Sequence, residues 1–393
     1  MRLTNDTGFP ATLVRAQTIY RDLLLATCVA KLAYEVDEHG EARPLPEAEQ
    51  LPVLEADTET PLGVLEADVV PIKLGCDLAV YGPALTSPRG SMVEELIVAV
   101  QIQGLLDRRV RVVGDRVWGP SGLGFQPSRP IPFSELPLDW TRSFGGSAIH
   151  HGTLAAPYAD NPDGRGFVVR REDVAGVILP NIEELDQPIT NWSDRPLPAS
   201  LLPLPRHSSL RGGRGIEVDV EAQSVAFSAE AFNFAHPRMH LPHYPHGERA
   251  AVWGMRHEGA WHLRLPTVAL ELELGLGDAI WQLPLVPDTL VMLPAWNRLY
   301  VLARRAFVYQ FAPEQLRHAI LRTCERVGEL RPTPTSIAEQ RRRSEAGEVP
   351  QVELLPVETD PSKMPLPFEM LIESEPLRRV LVDLPLCLAR SAR

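Results

Sequence analysis

The sequence predicts a mainly β protein: a large antiparallel β-sandwich or barrel-like domain with long Pro/Gly loops, followed by a short α-helical, Pro-rich C-terminal extension. Three observations predict it. Proline accounts for 38 of 393 residues, about twice the usual ~5%, and each proline fixes φ and removes a backbone donor, which excludes a mainly helical bundle. Several runs alternate apolar and polar residues with the period of two that a half-buried strand requires. At 44% hydrophobic and 23% charged residues, the chain can bury a sizeable core.

The elements follow in order. TLVRAQTIY (12–20) and LLLATCVAKLAYEV (23–36), rich in apolar and β-branched residues, read as two strands. An acidic, Pro-rich surface excursion runs to about residue 68, and extended runs resume at VVPIKLGCDLAVYG (69–82). VEELIVAVQIQG (93–104) and RRVRVVGDRVWG (108–119) alternate and make the clearest hairpin. From 120 to 215, Pro, Gly and isolated aromatics predict loops held by inserted rings. Strands return in WHLRLPTVALELEL (261–274), DTLVMLP (288–294) and RLYVLARRAFVYQF (298–311). These complete a β-rich domain over 1–312.

The remainder, 313–393, divides into helix, linker and terminal segment. Leu316, Ala319, Ile320 and Val327 follow helical spacing behind Pro313, which suits a first helical turn. Beyond Gly328 come seven prolines in about forty residues and the basic run Arg341–Arg343, which read as linker, and an amphipathic segment at 376–389.

Charge narrows the function. The formal net charge is −12, and −10 of it lies between Glu35 and Asp68, where eleven acidic residues face the single basic Arg43. With no basic patch elsewhere, nucleic acid is not an expected partner. MRLTNDTGFP lacks a basic segment followed by an apolar one, and the apolar run from Leu23 to Ala30 is too short to span a bilayer. The expectation is a cytoplasmic protein with no membrane role. Cys28, Cys76, Cys324 and Cys387 are widely spaced, fitting neither a zinc site nor a disulfide framework.

The histidines offer the sharpest chemical temptation. HPRMHLPHYPH places His236, His240, His243 and His246 at intervals of four, three and three. On a helix these would share one metal-binding face, but Pro237, Pro242 and Pro245 argue against a helix. DNPDG (160–164) superficially resembles a calcium loop, but its ligand alternation is wrong, and Asn-Pro and Asp-Gly are turn formers. RGGRG (211–215) lacks the G-K-[ST] of a phosphate-cradling loop. There is no G-x-S-x-G elbow, and Asp139, Asp160, Asp163 and Glu172 are the carboxylates from which a catalytic pair could be drawn. No catalytic residue, cofactor or resident metal is therefore expected.

What remains is LPLDWTRSFGG (136–146), NPDGRGF (161–167), LPNIE (179–183) and AFNFAHPRM (231–239), which mix Gly, Pro, Asn and aromatics at short spacings. These fix special backbone positions and anchor loops by burying rings, as a binding scaffold requires. Trp140, Arg142, Phe144, Arg165 and Phe167, from two Gly-flanked loops, are the candidate partner-binding residues; the alternative for each is a buried loop anchor.

With NDTGFP, VAKLAYEV, PIKLGCDLAVYGPA, VRVVGDRVW and ARRAFVY, these strings resemble the bacterial family catalogued as domain of unknown function 2169, over about residues 1–310. RPLPASLLPLPRHSSLRGGRG stands where that family carries a longer, tryptophan-bearing stretch, and the tail from about 313 lies outside its pattern. The resemblance implies a cytoplasmic, non-enzymatic adaptor or chaperone of type VI secretion. Such a protein would bind an effector or a PAAR-like tip protein and help load it on the VgrG spike. It brings no catalytic residues with it. The alternative is a metal- or carboxylate-dependent hydrolase using the His236–His246 cluster.

Overall fold

The computed structural model describes residues 3–17, 23–60, 63–70, 73–122, 124–211, 216–219, 224–227, 232–276, 279–310 and 316–324, together with Leu386–Cys387. The protein is mainly β, and among the described residues no helix reaches seven residues. Nor is any helix there long and apolar enough to cross a membrane.

The eight-stranded sheet is built on its two longest strands, Leu23–Val36 and Arg298–Gln310. They pair antiparallel from Arg298 opposite Glu35 to Gln310 opposite Leu23. Every position from Ala26 to Tyr34 is buried, because both faces of the strand are covered. One face (Ala26, Cys28, Ala30, Leu32, Tyr34, Val36) joins the main core. The other packs Ala33 against Leu45, Ala79, Tyr81, Val291 and Tyr300. The acidic excursion provides part of this second cover: Leu45 is buried, Leu51 and Leu65 pack beside it, and Asp68 meets Lys31 at 2.8 Å. A cavity of about 20 Å³ between Asp68, Tyr81, Phe234 and Tyr300 has room for a single water, not for a substrate.

The expected hairpin forms from Glu95–Ile102 and Leu106–Val113. It centres a five-stranded sheet, flanked by Ile182–Glu184 on one side and by Arg249–Trp253 then Trp261–Arg264 on the other. Val98, Val100, Ile102, Val110 and Val112 point inward to the main core. The run 261–274 is two strands, not one. Past Leu265 and Pro266 the chain leaves this sheet, and Leu270–Leu276 enters a four-stranded sheet with Ala279–Pro284.

The helix expected from Pro313 is corrected. Leu316–Thr323 is a strand between Leu270–Leu276 and Leu3–Asn5. Ala319 and Leu321 are fully buried, while His318 and Ile320 are half-exposed. Over so few residues the helical and strand periods share positions, and two waiting strand edges decide between them. Of the rest of 313–393, Cys324 and the short strand Leu386–Cys387, parallel to Val308–Tyr309, are described; the linker and most of the terminal segment lie outside the described residues.

The loop-rich stretch after the hairpin carries three short strand pairs and a satellite cluster of Trp118, Phe144, Val168, Val174, Leu179 and Ile189.

Candidate functional site

In LPLDWTRSFGG, the Asp139 carboxylate accepts the Thr141 N–H at 3.0 Å and starts a single 3-10 turn, Trp140–Arg142. The chain then extends, and Phe144–Gly145 pairs parallel with Arg165–Gly166. This joins the two Gly-flanked loops side by side. A Cβ on Gly145 would lie 2.1 Å from the Asn161 carbonyl oxygen, and one on Gly146, at φ +88°, 2.4 Å from that of Gly164. Only glycine admits this approach. Asn161 sits fully buried within the turn predicted at DNPDG, its Nδ2 donating to the carbonyls of Trp140 (2.9 Å) and Phe144 (3.1 Å).

The candidate residues divide into two kinds. Trp140 and Phe144 are buried anchors and present no face to a partner. Trp140 donates from Nε1 to the Pro203 carbonyl at 2.6 Å and stacks on His236; Phe144 packs edge-on to Tyr158 and Phe167. Phe167 is half-buried, with the Arg195 guanidinium 4.9 Å from its ring centroid. The physical reason is geometric: an irregular backbone needs large side chains beneath it to exclude water.

Arg142 and Arg165 differ, with side chains 26% and 25% exposed. Both donate to the Oδ1 of buried Asn181, at 3.1 and 3.3 Å. Asn181 Nδ2 in turn donates to the Val113 carbonyl and to Asp115 Oδ1, each at 2.9 Å. Asp115 lies 3.6 Å from Arg142 and 4.0 Å from Arg165, beyond hydrogen-bond length. Arg165 also donates from Nε to the Thr141 carbonyl at 2.7 Å. Burial and the adjacent Arg142 charge lower its pKa.

The sequence reading missed the two carboxylates beyond LPNI. Glu183 and Glu184 are adjacent on one strand, so they point to opposite faces, and both are buried. Glu184 is held by Arg108, with one contact at 2.6 Å, and by Arg238 at 2.8 Å. Glu183 is held by Arg116 and, at 3.2 Å, by Arg111. A usable signal existed in the consecutive acids at the end of an apolar string, matched by RRVR on the hairpin.

The histidines are dispersed among separate tasks. His236 is fully buried, accepts the Arg238 N–H at Nδ1 and lies 3.0 Å from the Pro198 carbonyl through Nε2, so Nε2 carries the proton. Burial, and then Arg108 and Arg238, push its pKa down to about 3. His240 Nδ1 lies 3.3 Å from Asp77, His246 Nδ1 accepts the Val268 N–H, and His243 is exposed. Among the described residues no three His, Cys, Asp or Glu side chains are grouped to hold a metal ion. Asp77 itself is a buried hub. Burial works against its charge, but Lys73 at 2.7 Å, His240 and the Phe234 N–H hold its pKa well below the carboxylate range.

Other candidate chemistry is similarly engaged. Asp160 accepts from the Ser209 hydroxyl, Asp163 pairs with His207 at 2.8 Å, and Glu172 lies 3.8 Å from Arg170. Burial pushes the Cys28 thiol to about 12 and raises Cys76 well above its ordinary value, so neither supplies a thiolate near neutral pH.

Fold and site thus define a β scaffold whose irregular loops are fixed by buried polar hubs. The chain belongs to a family of uncharacterised proteins conserved in bacteria, domain of unknown function 2169, whose pattern matches residues 22–304. No curated protein and no solved structure matches it.

Proposed function

We propose that the chain is a non-enzymatic adaptor or chaperone that binds a type VI secretion effector or PAAR-like tip protein and helps load it on the VgrG spike. One observation carries the binding role: the buried carboxylates Glu183 and Glu184 behind the loops are committed to internal pairs, while apolar side chains stay outside. Val117, Ile131, Ile149, Leu154, Val169 and Ile178, all within the loop-rich stretch, are 40–63% exposed. Val117 is bridged to Ile178 and Ile149 lies opposite Leu154, and adjacent exposed apolar side chains suit a protein partner. The secretion context, and a cytoplasmic place of action, rest on the sequence strings quoted above.

The hydrolase alternative needs His236, His240, His243 or His246 to converge with a carboxylate, and the different contacts of these residues give it no support. Elemental analysis finding a stoichiometric transition metal would revive it. The direct test is a pull-down of the tagged protein from its own host lysate at moderate salt, read by mass spectrometry. Recovery of an effector, a PAAR-like protein or VgrG is expected; recovery of none of them would reject the adaptor.

A further inference from the structure

We propose that Arg142 and Arg165, with exposed Val117, Ile131 and Ile178 beside them, form a docking surface for an extended peptide segment of the partner, carrying a carboxylate side chain flanked by apolar residues. This inference rests on the adaptor reading for its biological partner, but not for its chemistry.

Two guanidinium groups share a single neutral acceptor, Asn181 Oδ1. Among the described residues, Arg142 Nε and Nη2 and Arg165 Nη2 have no hydrogen-bond partner, on side chains 26% and 25% exposed. Like charges held this close attract an anion, and a planar carboxylate matches the guanidinium fork. Asp115 is in ion-pair range of both, at 3.6 and 4.0 Å, but is a single carboxylate for two guanidinium groups and hydrogen-bonds to neither. The apolar residues adjoin directly. The Ile131 N–H donates to the Asp115 carbonyl at 3.1 Å, and Val117, two residues on, is bridged antiparallel to Ile178. Asp115 and Val117 are exposed while Arg116 and Trp118 are buried, so the first two face solvent together. Ile131 is 63% and Ile178 49% exposed. A carboxylate alone would suit any small anion; the apolar rim selects a peptide with side chains on either side of the acid.

The test uses the full chain with 15N-labelled arginine and two blocked probes, acetyl-Leu-Val-Asp-Leu-Val-amide and its Asn counterpart. The Arg142 and Arg165 Nε–H signals should move on adding the Asp peptide, whose affinity should exceed that of the Asn peptide about tenfold. Ile131→Glu, at an exposed position, should weaken the Asp peptide about tenfold with the thermal midpoint unchanged. Asp115→Asn keeps an acceptor for Asn181, removes the competing charge, and should strengthen binding severalfold. Equal affinity for the two peptides, no effect of Ile131→Glu, or inorganic phosphate binding as tightly as the Asp peptide would overturn the proposal. The two readings separate cleanly. If the host partner is captured equally by wild type and Ile131→Glu, the surface fails and the adaptor stands. If no secretion protein is captured but the peptides are discriminated, the adaptor fails and the surface stands.

Discussion

Two regions of the molecule hold their backbones by opposite means. The sheets around Leu23–Val36 and Arg298–Gln310 satisfy their N–H and C=O groups by pairing with one another, and their side chains are left to fill the core. The stretch from 114 to 211 has only short strand pairs and isolated backbone bonds, and buried side chains supply further partners. Asn161 serves two carbonyls, Asn181 and Arg116 one each, and Trp140 Nε1 another. In a ladder the work is spread over many equivalent bonds. In the loops isolated backbone bonds are tied together by a few buried side chains such as Asn161 and Asn181, and substitutions of the buried polar groups there should cost as much as substitutions in the apolar core.

The largest effect should come from Glu184→Ala. It strands Arg108, whose side chain is 3% exposed, and breaking a buried pair in this way costs about 3–5 kcal/mol. Urea unfolding would read this as a lower midpoint; a loss below about 1 kcal/mol would mean the loops do not depend on their hubs. Leu290→Ala, at a fully buried position in the main core, is the matching cut in the sheets and should cost about 2–5 kcal/mol. If it greatly exceeds Glu184→Ala, the equivalence of the two regions fails. Gly146→Ala introduces a Cβ against the Gly164 carbonyl at positive φ, with an expected cost of about 1–3 kcal/mol by thermal unfolding.

A fourth prediction separates the regions by pH. The His236 pKa in the fold, about 3, lies below its ordinary 6.5, so the unfolded chain binds a proton that the folded chain refuses. The stabilisation is complete above pH 6.5 and declines as pH falls toward 3, by about 1.4 kcal/mol per unit across the window. His236→Asn should remove that one-proton slope from the pH dependence of stability; an unchanged slope would place the proton uptake elsewhere. The smallest effect belongs to Ile131→Glu, which should alter stability by no more than about 0.5 kcal/mol at its exposed position. A larger loss would make Ile131 part of the packing.

The same contrast explains what the sequence could show. Alternation in LIVAVQI and RVRVV is a local record of one buried face, so the hairpin was legible. The Gly and aromatic strings marked where loops are anchored, and the structure does bring 140–145 against 165–167. Their direction was not legible, because Trp140 turns inward only once Pro203 and His236 are beside it. Leu316–Thr323 departs from the expected helix for a related reason: its partners lie at residues 3–5 and 270–276, beyond any local window. Asn181 gives little warning, since a hub is defined by what converges on it from distant segments.

The pairing of Leu23–Val36 with Arg298–Gln310 also sets a clock. Roughly 260 residues separate the end of the first strand from the start of its central partner. At ~5–20 residues per second of synthesis, a fourteen-residue apolar strand waits roughly 13–50 s for the neighbour that completes its sheet. Until then, among the described residues, only Ala11–Gln17 and the short Ala42–Pro44 are on hand to pair with it. The nascent chain therefore carries an exposed strand edge through most of its own translation, and the yield of folded protein should depend on how well the cell shields that edge in the interval.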